Sequence, residues 1–174
     1  MSETREEITR KSRWPLIKTI LIILFLLLVG IQFLQPSKDN QNADMRNAMD
    51  KAVELPDEVN RILRKSCYDC HSNYTNYPWY SNIQPGGWLM DRDIRNGKAR
   101  LNFQTFATVQ PEGNYKTREA YQRHLLEEIA KVTSEGEMPL KAYMLLHEEA
   151  RISDAERKIV ADWARKAASE IIEP

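Results

Sequence analysis

The chain has 174 residues, 25 basic and 25 acidic side chains, and only two cysteines. That length suits one compact domain beside a single apolar N-terminal run, and the zero formal charge leaves no electrostatic footprint for nucleic acid. Two cysteines separated by two residues cannot form a disulfide framework, so the fold must be held together by other means.

Residues 1–13 form a polar tail carrying Arg5, Arg10, Lys11 and Arg13. Residues 14–34 are almost continuously apolar, with Lys18 close enough to the edge to snorkel. A bilayer core requires about 20 such residues of a helix, so the run is expected to be a transmembrane signal anchor. The alternative is a cleaved signal peptide, but Gln35-Pro36-Ser37-Lys38 contains no small-x-small cleavage site and no cysteine for a lipid. The basic flank places the tail in the cytoplasm. The expected location is therefore the inner membrane, single-pass, with the C-terminal domain in the periplasm. Residues 35–51 (QPSKDNQNADMRNAMDK) read as a flexible tether, and residues 52–174 as the outer domain.

The outer domain opens with a short helix. Pro56 suits a first turn, Asp57 and Glu58 suit the positive end of the dipole, and Val59, Ile62 and Leu63 share a face. It leads into Cys67-Tyr68-Asp69-Cys70-His71. Two thiols at this spacing can each add to one vinyl group of a haem, and the adjacent imidazole can reach the iron. Three other readings compete. A redox Cys-x-x-Cys needs alternating strands and helices, which the sequence does not offer. A zinc site needs a fourth ligand, and no second Cys-x-x-Cys or finger-spaced His pair is present. A disulfide across so short a loop would stabilise little. The motif is thus expected to hold one covalent haem c through Cys67 and Cys70, with His71 as an iron ligand. Four tryptophans and seven tyrosines suit a domain that wraps a large flat apolar cofactor.

After His71 the run SNYTNYPWYSNIQPGGW is dense in aromatics and turn formers. Tyr74, Tyr77, Trp79, Tyr80 and Trp88 are candidates to pack on porphyrin edges, with ordinary core and loop packing as the alternative. A helix is expected over 86–96, ended by Asn96-Gly97, followed by an irregular crossing at Leu101-Asn102-Phe103. Thr117 and Glu119 open a longer helix with Tyr121, Leu125, Ile129 and Val132 in register, closed by Gly136. Ser153-Asp154-Ala155-Glu156 is a capping box, and Ile159, Val160, Trp163, Ala167 and Ile171 form the apolar face of a terminal helix. No repeat and no strand run interrupts this all-α pattern.

For the sixth iron position Met138 is the leading candidate. It lies between two helices, and Pro139 removes a backbone donor and stiffens the loop. A neutral thioether favours ferrous iron and marks an electron carrier. Met138 as a core filler, His124 or His147 as a second histidine ligand, and an open position are the alternatives. Met90 and Met144 fit helical core patterns.

The segments CYDCHSNYTNYPWYSNIQPGGW, LNF, GEMPL and ISDAERKIVADW together resemble the bacterial haem-binding-domain family, small c-type cytochrome-like proteins of the Bacteroidetes type. The resemblance covers about residues 52–170. It implies an all-α, cytochrome c-like helical domain around one covalent haem, held by Cys67, Cys70 and His71, with Met138 in the position of a methionine ligand. The expected function is membrane-anchored electron transfer with redox partner proteins at the membrane, and no enzymatic activity. A haem-based redox or gas sensor with an exchangeable sixth position is the alternative. A peroxidase ranks below both, because no distal acid–base pair is evident.

Overall fold

The computed structural model describes the backbone of residues 3–12 and the full residues 13–38, 45, 46 and 48–172. Seven α-helices occur among them, with no strand: α1 (Glu3–Ile31), α2 (Asp57–Ser66), α3 (Tyr68–His71), α4 (Gly86–Arg100), α5 (Arg118–Ser134), α6 (Lys141–Met144) and α7 (Asp154–Glu170). The chain divides into two compact units, Met1–Lys38 with Tyr77–Asp91, and Asp39–Asn76 with Arg92–Pro174.

In the first unit, the stretch Arg13–Ile31 is long and apolar enough to cross a membrane, and none of it is buried within the protein. The helix ends at Ile31, short of the expected Leu34, because Gln32, Phe33 and Leu34 leave it in tight turns.

The second unit is built on α2, α5 and α7. Val59, Ile62 and Leu63 of α2 meet Leu125, Leu126 and Ile129 of α5 and Val160, Trp163 and Ala164 of α7 in one buried cluster. The ends of the long helices follow the sequence signals. The Thr117 hydroxyl accepts from the Ala120 amide at 3.1 Å. Ser153 and Glu156 form the complete capping box. Gly136 takes φ +73° after α5, a conformation that a residue with a Cβ adopts at a cost.

Two expectations are corrected. The sequence predicts a tether over 35–51, of which 39–44 and 47 lie outside the described residues. At its far end Ala48 and Met49 are buried, and the Met49 amide donates to the Phe103 carbonyl at 2.8 Å, so the packed unit begins before residue 52. An apolar side chain amid polar neighbours was too weak a signal to mark this. The helix expected to stop at Asn96-Gly97 runs on to Arg100. Gly97 serves packing: a Cβ there would stand 2.5 Å from the Cys70 carbonyl oxygen.

Candidate functional site

Cys67 ends α2, and the four residues after it form the single turn α3. The Cys70 and His71 amides both donate to the Cys67 carbonyl, at 3.2 and 2.9 Å, which keeps the two thiols on one turn of backbone. Both cysteines are free and half-buried. Burial pushes the Cys67 thiol up to about 12 and the Cys70 thiol up to about 11, with neighbouring negative charge adding to each. A redox-active Cys-x-x-Cys needs a thiolate made easy, and here it is made difficult.

His71 is fixed from thirty residues away. Its Nδ1 lies 3.0 Å from the Leu101 carbonyl oxygen. A carbonyl can only accept, so Nδ1 carries the proton and Nε2 keeps its lone pair. Burial pushes the imidazole pKa down, and the Arg100 charge acts in the same direction, while the carbonyls of Leu101 and Gly97 oppose them. The neutral ring, the form that binds iron, is thereby favoured.

The residues after the turn are stitched to the 101–104 crossing. Phe103 donates its amide to the His71 carbonyl at 2.8 Å, and Gln104 Oε1 accepts from the Asn73 amide at 2.5 Å. Asn102 Nδ2 donates to Asn73 Oδ1 at 2.8 Å. The Phe103 ring stacks on Tyr68, centroids 5.0 Å apart. Asp69, between the cysteines, accepts from the Tyr143 hydroxyl at 2.6 Å and from the Asn76 amide at 2.9 Å, and its carbonyl accepts from Thr75. Gly97, Leu101, Phe103, Gln104 and Tyr143 are therefore part of the site. Sequence reasoning missed these roles, because a carbonyl acceptor and a close approach carry no residue-type signature.

Two thiols and one imidazole are what a covalent haem needs, but they must not converge. Zinc would draw its ligands to one point, and among the described residues no three His, Cys, Asp or Glu side chains gather in that way. Haem takes the thiols at its edge and the imidazole at its centre, so the donor set fits haem.

The other candidates fall elsewhere. Met138 is half-buried on the loop after α5; its amide donates to the Val132 carbonyl at 3.2 Å and its carbonyl accepts from Arg157 at 3.0 Å. None of its described contacts joins it to the Cys67–His71 turn. His124 stacks against Tyr115 and Tyr121, a packing role. His147 is buried, stacks on Tyr143 at 4.1 Å between centroids, and holds Glu149 through Nδ1 at 3.0 Å. Through Tyr143 it reaches Asp69 of the motif. Met90 and Met144 are half-buried. Among the aromatics expected on porphyrin edges, Tyr74 and Trp79 are exposed.

The family model that matches the chain is described as a haem-binding domain and covers residues 26–166. Its match starts inside α1, well before residue 52. Searches of the curated proteins and of the solved structures return no match.

Proposed function

Because the chain belongs to the haem-binding-domain family, we propose that this haem-binding protein is a membrane-anchored, mono-haem c-type cytochrome that carries electrons between protein partners. The observation that carries the reading is the bond from His71 Nδ1 to the Leu101 carbonyl, beside two free thiols on one turn. Haem, when bound, supplies a one-electron iron couple.

The chain's own residues have distinct tasks. Cys67 and Cys70 would hold the cofactor covalently through their sulfurs. His71 offers Nε2 to iron, and Leu101 prevents the ring from turning over. Met138 would supply a second, thioether ligand to the iron. The stretch Arg13–Ile31 of α1 anchors the protein in the inner membrane, with the basic residues Arg5, Arg10 and Lys11 at the N-terminal end of the same helix in the cytoplasm and the haem domain in the periplasm. No catalytic residue is assigned.

The test is the absorption spectrum of the full chain, matured with haem, oxidised and reduced, for wild type and Met138→Ala. Covalent haem, a low-spin ferrous form and a far-red band lost in the variant support the carrier with Met138 as ligand. A high-spin ferrous wild type counts against it.

The sensor reading, with an open or exchangeable sixth position, draws on one observation: the backbone partners of Met138 are Val132 and Arg157, neither of which belongs to the haem turn. Carbon monoxide binding to ferrous protein, at a rate unchanged by Met138→Ala, would favour it.

A further inference from the structure

The first unit joins the exit of α1 to residues 77–91 by polar bonds. Gln32 makes a two-way link with the Gln84 backbone: its Oε1 accepts from the amide at 2.8 Å and its Nε2 donates to the carbonyl at 3.2 Å. Gln35 Nε2 donates to the Asn82 carbonyl at 3.1 Å, and its Oε1 accepts from Gln84 Nε2 at 3.1 Å. Trp88 Nε1 donates to the Leu34 carbonyl at 2.7 Å. Lys38 reaches Asn82 Oδ1 at 2.5 Å and lies 5.5 Å from the centre of the Tyr77 ring. Gly87 keeps the segment tight, since a Cβ there would stand 2.5 Å from the Ser81 carbonyl oxygen.

The polar groups thus find partners inside the unit while several large apolar ones stay about half exposed or more. Trp79 is 76% exposed, Leu89 50% and Ile83 49%, and Phe33 at the helix exit is 83% exposed. In water such a surface costs about 25 cal/mol for each Å² of apolar area left uncovered.

Position supplies the occupant. The 19 residues Arg13–Ile31 measure about 28 Å as a helix, which matches a hydrocarbon core of about 30 Å. Residues 32–38, and whatever is bonded to them, then stand at headgroup depth. Tryptophan and tyrosine favour that depth because an apolar ring and a polar tip are both accommodated, and a lysine there meets lipid phosphate. Independently, the family match begins at residue 26, so the domain shared by the family includes the last turns of α1.

We propose that Trp79, Ile83 and Leu89, with Phe33, form a lipid-binding foot that inserts into the outer headgroup and acyl boundary of the bilayer crossed by α1. The ligand is the lipid surface itself. This rests on the membrane-anchor reading above and adds a second, interfacial contact far along the sequence from the helix.

The experiment uses the full haem-loaded chain in vesicles of phosphatidylcholine and phosphatidylglycerol, with p-benzoyl-phenylalanine in place of Trp79, Ile83, Leu24 or Glu127. Leu24 lies within α1, and Glu127 is an exposed charged position on α5. After irradiation, lipid adducts are read by intact mass. Lipid adducts at Trp79 and Ile83 comparable in yield with Leu24, and none at Glu127, support the foot. Adducts at Leu24 with none at Trp79 and Ile83 overturn the foot and leave the anchor standing. Protein–protein adducts at Trp79 in place of lipid overturn it in favour of a second copy of the chain. Absence of lipid adducts at Leu24 overturns the anchor and the foot together.

Discussion

The Cys67–His71 turn and the Tyr77–Asp91 segment follow one another closely in sequence, are both short, and are both dense in hydrogen bonds, yet they use those bonds oppositely. Around the turn, Phe103 joins polar bonding to apolar packing, giving its amide to the His71 carbonyl and its ring to Tyr68, although the buried Ser66 hydroxyl just before Cys67 has no hydrogen-bond partner among the described residues. In the segment, Gln32, Gln35 and Trp88 satisfy the polar groups while Trp79, Ile83 and Leu89 remain uncovered. A turn that is to present an imidazole to a metal in one orientation gains from a second ring nitrogen held by a fixed partner, as His71 Nδ1 is held by Leu101. A surface that ends on lipid needs only its backbone and polar tips secured from within.

The comparison can be broken most completely at the turn. Cys67→Ser with Cys70→Ser is expected to abolish covalent haem, seen as loss of in-gel haem peroxidase staining in the denatured protein, with no staining left above background. In the same unit Leu126→Ala removes a fully buried side chain from the α5 core and is expected to lower stability by about 3 kcal/mol in denaturant unfolding. A change under about 1 kcal/mol would show that this core collapses readily around a cavity.

Gly97→Ala sharpens the contrast through its sign. Helix propensity alone would stabilise the variant by about 1 kcal/mol. The approach to the Cys70 carbonyl, 2.5 Å from the added Cβ, is expected to win and to destabilise by about 1–3 kcal/mol, with a lower yield of haem-loaded protein. Stabilisation on melting would mean that α4 can shift away from the turn without consequence.

A smaller effect is expected at Glu156, whose carboxyl is held down to about 2 by the Lys65 ammonium 2.6 Å away and by the Ser153 amide. A depressed carboxylate stabilises the fold fully above its ordinary value of 4.5, and the contribution disappears as pH falls through about 2. Glu156→Gln is therefore expected to be less stable than wild type at pH 7, by about 1 kcal/mol, with the two stabilities converging near pH 2. A gap that persists in acid would assign the effect to the cap geometry and not to the charge. The smallest effect on folding is expected in the segment. Trp79→Ala should leave stability within about 0.5 kcal/mol in detergent, because the ring is exposed. A large loss there would mean that Trp79 is packed after all.

Much of the helical plan is legible from local pattern. Val59, Ile62 and Leu63 mark the buried face of α2, Thr117 and Ser153 mark helix starts, and Gly136 marks a stop, because periodicity, capping and positive φ are properties of a few neighbouring residues. Gly97 shows where that logic fails. Asparagine followed by glycine is a good terminator, but here the missing Cβ answers to Cys70 across the fold. Met49 is hidden for a similar reason, since it belongs to the buried cluster with Phe103 and Phe106 and its amide bonds the Phe103 carbonyl, partners far from its polar sequence neighbours.

By itself, then, the sequence determined the apolar N-terminal span, the Cys67-Tyr68-Asp69-Cys70-His71 motif and the individual helices, each legible within a window of some twenty residues or fewer. The tertiary structure decided which nitrogen of His71 is available, through a carbonyl thirty residues away, and which segment the end of α1 holds, through Gln32 and Gln84 fifty-two residues apart. Both decisions rest on backbone carbonyls and amides, which every residue carries alike, so only folding can say which of them meets which side chain.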